Sequence, residues 1–196
     1  ADAAARLGGE VALKIVSPDI LHKSDAKGVQ LSLSGKQRVK NAFREIVDHA
    51  RAYRADARIE GVLVAPMVPP GIEVIIGTKI DDQFGPVIMY GWGGIMVEII
   101  KDVSFRVLPI SRRSAQQMIA ETKSHPILDG VRGGRPYDQK ALVNLLLTCS
   151  EIVEAYPRIQ EMDLNPVIVH HAGLSVVDAR ILLKTTPEVT AAGPGA

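Results

Sequence analysis

Two short segments constrain this chain most: Glu161-Met-Asp-Leu-Asn-Pro166, and Val176-Val-Asp178-Ala-Arg180 shortly after it. Each alternates polar and apolar residues, the period-two signature of a β-strand with one wet face and one dry face. Between them His170-His-Ala-Gly173 has the length of a hairpin loop, with Gly free to take a positive φ. Pairing Val169 with Leu174 across that loop sets Asn165 opposite Asp178 and Asp163 opposite Arg180. Glu161, Asp163, Asn165, Asp178 and Arg180 then share one face, and Met162, Leu164, Ile168, Val177, Ala179, Ile181 and Leu183 the other. The first face offers hard oxygen donors and one cation, which suits Mg²⁺ bound together with phosphate. The same pattern fits a solvated hairpin face with a cross-strand Asp163–Arg180 pair.

Composition narrows the classes. A length of 196 residues suits one domain or two small ones, and 46% hydrophobic with 23% charged residues excludes a largely disordered chain. A net charge of +1 gives no electrostatic case for nucleic acid or an anionic membrane as partner. The single cysteine, Cys149, excludes an internal disulfide and lies in an apolar helical run, so it reads as a core residue. No apolar run reaches the roughly 18 residues of a membrane span and no signal peptide opens the chain, which makes the cytoplasm the expected location. With few aromatics, the core falls to Val, Ile, Leu and Ala, as in α/β domains with parallel or mixed sheets.

Along the chain, Ala1 to Gly9 reads as the end of a helix stopped by Gly8-Gly9, and Val11 to Val16 as a strand carrying Lys14. A polar stretch, 19–28, is centred on His22-Lys23-Ser24-Asp25. A strand from Val29 to Leu33 leads to Ser34, the expected N-cap of a helix to about Ala55 with Val39, Phe43, Ile46, Val47 and Ala50 buried. Gly61 to Met67 is a strand broken by Pro69-Pro70-Gly71. Ile72 to Ile80 and Pro86 to Tyr90 form a strand pair, followed by Gly91-Trp-Gly93-Gly94, an apolar stretch to Ile100, and Lys101 to Arg106. Ser111 caps a helix to about Lys123, and Asp138 caps a long one ending near Tyr156-Pro157. This order predicts an α/β or α+β fold in two lobes, 1–68 and 71–184, with 185–196 a small-residue, flexible tail.

Several residues invite two readings. Lys14, inside an apolar strand, is either a snorkelling edge residue or a point charge aimed at phosphate. His22 is either an inert loop histidine or a nucleophile that accepts a phosphoryl group. Gly91, Gly93 and Gly94 make a tight turn or a loop whose N–H groups approach phosphate, without the Walker A or GxGxxG pattern. Glu73 alternates with apolar neighbours, and Lys101, Asp102 and Arg106 form a surface cluster or a clamp on a polyanion.

Taken in order, Ala12-Leu-Lys14-Ile-Val-Ser-Pro-Asp-Ile-Leu-His22-Lys-Ser-Asp25, Gly71-Ile-Glu73-Val-Ile-Ile-Gly77, Gln83-Phe-Gly-Pro-Val87, Gly91-Trp-Gly-Gly94-Ile95, Val97-Glu98, Lys101-Asp-Val-Ser-Phe-Arg106 and the two hairpin segments form a specific set. Together they resemble the ATP-grasp domain of NDP-forming acyl-CoA synthetases, of the acetate–CoA ligase (ADP-forming) β-subunit type, from about Leu7 to Leu183. The resemblance implies a two-lobed ATP-grasp fold whose N-terminal segment, before the Lys14 strand, is incomplete. It implies that Lys14 contacts ATP or ADP phosphates, that Val62 to Met67 (with Val64, Ala65 and Met67) is the adenine-side hinge, and that Glu73 holds the nucleotide. It further implies Gly93, Gly94 and Arg106 near the nucleotide, Asn165 and Asp178 as Mg²⁺ ligands, and His22 as a phosphoryl relay with Asp163 as polar partner. CoA and a small carboxylic acid are implied to bind a partner subunit or fused domain, with the His22 loop moving between the sites. The chain departs from the family at Ala26-Lys27-Gly28-Val29, where Gly-Gly-Val is usual, and at Ala65, where Gln is common. Similar domains also occur as non-catalytic modules of fusions such as protein lysine acetyltransferases, and other ATP-grasp ligases activate carboxylates without a phosphohistidine. Retention of the His-Lys-Ser-Asp element, Asn165 and Asp178 favours the phosphohistidine enzyme.

Overall fold

A computed structural model describes residues 1–20, 22–94, 102–130 and 133–184. The expected apolar stretch 95–100 with Val97 and Glu98, Lys101, and the expected tail 185–196 lie outside the described residues. The chain divides into two compact units, 1–68 and 69–196.

The first unit contains α1 (Asp2–Leu7), β1 (Val11–Val16), β2 (Val29–Leu33), α2 (Lys36–Tyr53) and β3 (Gly61–Pro66). Its antiparallel sheet has the order β2-β1-β3. Val11, Leu13 and Ile15 alternate towards α2, where Val39, Ala42, Ile46 and Ala50 complete the core. Phe43, expected inside, is 46% exposed while Ala42 is buried. A stripe at 39, 42, 46 and 50 follows the helical repeat, and residue 43 lies about 100° further round the helix. The small alanines allow the helix to lie close to the sheet. The expected cap Ser34 is displaced by Gly35, whose φ of 81° starts the helix without a side-chain cap.

The second unit contains β4 (Ile72–Asp81), β5 (Gly85–Trp92), β6 (Val103–Val107), α3 (Arg112–Ala120), α4 (His125–Leu128), α5 (Gln139–Ala155), β7 (Ile159–Val169), β8 (Leu174–Val176) and β9 (Ala179–Leu183). The sheet order is β6-β5-β4-β7-β8, with β9 also paired to β7. All pairings are antiparallel rather than parallel or mixed. Short reversing turns dictate this for β4–β5, through Asp82 to Phe84, and for β7–β8, because a parallel neighbour needs a long crossover. Val74, Ile76, Ile88 and Tyr90 pack with Met118 and Ile119 of α3 and with Leu142, Leu146, Cys149 and Val153 of α5. Each fully buried aliphatic side chain of this size contributes about 1.5–3 kcal/mol.

Along β7 the buried set runs Met162, Leu164, then Val167 and Val169, and the expected Ile168 falls outside this core. The pairs Val74↔Val167 and Ile76↔Leu164 leave Asn165 and Pro166 opposite Ile75 alone. This bulge inserts one residue and reverses the alternation beyond it. Ile181 and Leu183 of β9 share the Met162 side but stay exposed at the sheet margin.

Ser111 Oγ accepts from Ser114 N at 3.1 Å and Asp138 Oδ1 from Ala141 N at 2.9 Å, capping α3 and α5. α3 ends earlier than expected, at Ala120, and a turn leads to α4. Asp102 organises that turn by accepting from Lys123 N and Ser124 N, both at 2.8 Å, and from the Ser124 hydroxyl. Its carboxylate is therefore engaged within its own unit and does not clamp an external anion. Burial opposes its ionisation, but the bonds from Ser124 and Lys123 outweigh that and hold its carboxyl below the usual range.

Asp102→Asn should lower the stability of the second unit by about 1–3 kcal/mol at neutral pH, measured by urea unfolding. Because the folded pKa is depressed, the carboxylate's contribution is full above the unfolded value of about 4 and is lost as pH falls through the folded one. The gap between wild type and variant should therefore narrow in acid. The Cys149 thiol, buried and pushed up to about 12 by desolvation, should resist a disulfide reagent at pH 8 until the protein unfolds.

Candidate functional site

In the second unit the helices cover one face of the sheet, and the other carries the polar residues of β7 and β9. The hairpin pairs Val169↔Leu174, and the register continues through Leu164↔Ala179 to Asp163↔Arg180. Between these, Asn165 N–H donates to Asp178 O at 3.1 Å and Val177 N–H to Pro166 O at 3.0 Å. Asn165 and Asp178 are thus opposite each other, with Glu161, Asp163 and Arg180 along the same ladder. Arg180, directly opposite Asp163 in the register, forms an ion pair with Glu161, its diagonal neighbour.

Among the described residues no three His, Cys, Asp or Glu side chains converge as a metal site. Asn165 and Asp178 supply two oxygen-bearing side chains, a set that fits Mg²⁺ only if phosphate oxygens and water complete its octahedron. A depression of about 210 Å³ in this unit is lined by Lys79, Val87, Met89, Phe105, Glu161 and Asp163, and Asn165 and Asp178 are not part of its lining. Lys79, Met89 and Phe105 were not singled out from sequence. Their alternation along β4, β5 and β6 was the available signal, but which strands adjoin depends on the sheet order.

Glu73, exposed on β4, meets the glycine loop directly. Gly93 N–H donates to Glu73 O at 2.8 Å, so that group is already satisfied within the protein rather than free for phosphate. A Cβ at Gly93 would lie 2.9 Å from the Glu73 Cβ, and one at Gly94 3.3 Å from Glu73 Oε2. The glycines permit close packing against Glu73. Arg106 is not brought to this face. It sits opposite Ile88 on the helix-covered side, bonded to Glu121 and to Phe105 O. Strand alternation sends it there, since Phe105 takes the open side.

In the first unit Lys14 is buried at the centre of β1, on the face away from Leu13 and Ile15, opposite Val29 and Leu63. Ala65, opposite Ala12, shares that face, while the Val64 side chain packs towards α2. The Met67 N–H to Glu10 O bond of 3.0 Å sets the ladder's phase, directing the Val64 N–H and C=O to the outer edge of β3. His22 is exposed at the start of a turn closed by Lys27 N–H to Ser24 O (3.0 Å) and Gly28 N–H to Lys23 O (2.7 Å). Lys27 has a φ of 48°, which accounts for glycine being usual there. Gly28 is required, because a Cβ would lie 2.5 Å from Ile15 Cγ2.

The ATP-grasp domain family model matches residues 1–183. The chain belongs to the ATP-grasp family. This ATP-grasp chain is 53% identical over 184 residues to the β-subunit of acetate–CoA ligase (ADP-forming) II of Pyrococcus furiosus, covering 92% of this chain and 78% of that one. It is 50% identical to acetate–CoA ligase (ADP-forming) I of Archaeoglobus fulgidus, over 93% of this chain but only 26% of that longer protein. The acetyl-coenzyme A synthetase 1 of Ca. Korarchaeum cryptofilum, solved with coenzyme A and Mg-AMPPCP and with its phosphohistidine segment pointing towards the nucleotide-binding site, superposes with a TM-score of 0.79 at 43% identity. That match covers 93% of this chain and 80% of the solved one. Close homologues are thus ADP-forming acetate–CoA ligases, and this chain corresponds to their ATP-grasp component.

Gly93→Ala should force the loop off Glu73, costing about 1–3 kcal/mol of stability in urea unfolding. Lys27→Gly, which relieves the left-handed φ at the cost of a freer unfolded chain, should leave stability unchanged or raise it by up to about 1 kcal/mol.

Proposed function

We propose that this ATP-grasp domain binds Mg·ADP or Mg·ATP and transfers phosphoryl groups for an ADP-forming acyl-CoA synthetase. The overall reaction is acyl-CoA + ADP + phosphate ⇌ carboxylate + CoA + ATP. The observation that carries this reading is the Asn165–Asp178 pair, facing each other across the β7 hairpin in a chain that belongs to this family.

Each residue has a role set by its chemistry. Lys14, a strand ammonium, contacts the nucleotide phosphates. The free edge at Val64, with Ala65 and Met67 beside it, offers backbone groups to adenine, and Glu73 holds the nucleotide by its carboxylate. Gly93 and Gly94 act through Glu73 by letting the loop pack on it. Asn165 and Asp178 hold Mg²⁺. The ion, when bound, neutralises phosphate charge during in-line transfer.

His22 accepts the phosphoryl group from an acyl phosphate formed at a CoA-binding partner subunit or fused domain. A ring nitrogen of the neutral imidazole supplies the electron pair for the new N–P bond, and the carboxylate leaves with the bridging oxygen. In the second transfer a terminal ADP oxygen takes the group, the N–P bond breaks and the imidazole is restored. Asp163 is its polar partner at the nucleotide end. The His22 segment carries the group between sites, which keeps the phosphoryl from water. The partner selects the small carboxylic acid.

Calorimetric titration with Mg·ADP should give metal-dependent binding that Asn165→Ala/Asp178→Ala removes; unchanged binding in the double variant would sink the metal assignment. His22→Ala in the intact enzyme should keep nucleotide binding yet lose turnover by about a thousandfold or more, together with acid-labile ³²P labelling. Full turnover by that variant would refute the relay.

A further inference from the structure

We infer that Asp138 is a positioning residue for the metal-binding side chain of Asp178, acting through the β7–β8 hairpin. The inference rests on the reading of Asn165 and Asp178 as the metal pair. A helix cap needs one oxygen, and Asp138 uses two. Its Oδ1 accepts from Ala141 N at 2.9 Å and caps α5, while its Oδ2 accepts from Gly173 N at 2.7 Å, at the hairpin tip. Its own N–H donates to His170 O at 2.8 Å, on the other arm of the same loop. His171 Nδ1 lies 3.1 Å from Pro136 O, and the His171 ring stacks on Tyr137 with centroids 4.4 Å apart. Residues 136–138 therefore grip the loop from both arms.

The grip matters because it anchors the returning strand at its loop end, where the pairing with β7 begins. β8 has only three residues, and between it and β9 the ladder is carried by the Val177 N–H to Pro166 O and Asn165 N–H to Asp178 O bonds alone. Asp178 follows Gly173 by five positions, in the least regular part of that return. A slip of one residue would set Val177 or Ala179 opposite Asn165 and turn the Asp178 carboxylate to the wrong face. The bonds from Gly173 and then Ala141 hold the Asp138 carboxyl below the usual range, so the grip is ionised and charge-assisted at neutral pH.

Two substitutions separate the grip from the cap. Asp138→Asn keeps the shape of the side chain but replaces one of its two acceptors by a donor. Asp138→Ser retains a capping hydroxyl too short to reach Gly173 as well. In the intact protein that contains this chain, calorimetry at a series of Mg²⁺ concentrations would give the Mg²⁺ required for half-maximal ADP binding. Both variants should raise that requirement about tenfold while leaving metal-free ADP binding within about twofold, and should speed amide exchange at 170–178. Ser111→Ala, which removes a comparable cap from α3 without touching the hairpin, should leave the Mg²⁺ requirement unchanged. Asp178→Asn is the reference. If it raises the Mg²⁺ requirement and neither Asp138 variant does, the positioning role is overturned while the metal pair stands. An unchanged requirement in Asp178→Asn would reject the metal pair itself, and the positioning role with it.

Discussion

The structure of the second unit depends on the register of β7. This strand pairs with β4 along one edge and with β8 and β9 along the other, so every side chain it presents is set by two ladders at once. Because side chains alternate with a period of two, a one-residue error in either ladder would bury Asp163 and expose Met162. Hydrophobic burial against α3 and α5 enforces the correct register from one side, and the Asn165–Asp178 backbone bond and the Glu161–Arg180 ion pair brace it from the other.

The bulge at Asn165-Pro166 reconciles two demands on one strand. Before it, Met162 and Leu164 fill the core; after it, Val167 and Val169 do so, although an unbroken alternation would have chosen Ile168. The extra residue falls at Asn165, opposite Asp178, where a polar group is wanted on the open side. Bulges commonly redirect side chains at functional sites, and here the redirection lets a buried strand end next to an oxygen-rich face.

The first unit obeys a different constraint. β1 is covered by α2 on one side, which leaves Lys14 to share the opposite face with Ala12 and Ala65. The His22 turn closes tightly onto β1 at Gly28, where no side chain fits, so the exposed histidine sits on a turn with a fixed base. Lys27 accepts a left-handed backbone at that base, so the unusual residue is accommodated without altering the turn.

The period-two pattern of 161–166 and 176–180 and the Gly173 loop sufficed to set Asn165 opposite Asp178, because hairpin register is a local property of loop length and alternation. The caps at Ser111 and Asp138 were legible for the same reason, as was the His22 motif through its ordered neighbours. Arg106, Asp102, Phe43 and Ile168 were not. Whether Arg106 faces the open side depends on the parity of β6 against β5, and Asp102 finds its partners 21 and 22 residues away. The second oxygen of Asp138 reaches Gly173 across 35 residues, a contact that no window of sequence contains. Sequence alone determined how the hairpin aligns Asn165 with Asp178 and which residues cap the helices, since both are set within a few neighbours. Only the tertiary structure decided which face each strand presents and what each charge meets, because those depend on elements far apart in the chain competing to bury the same apolar surface.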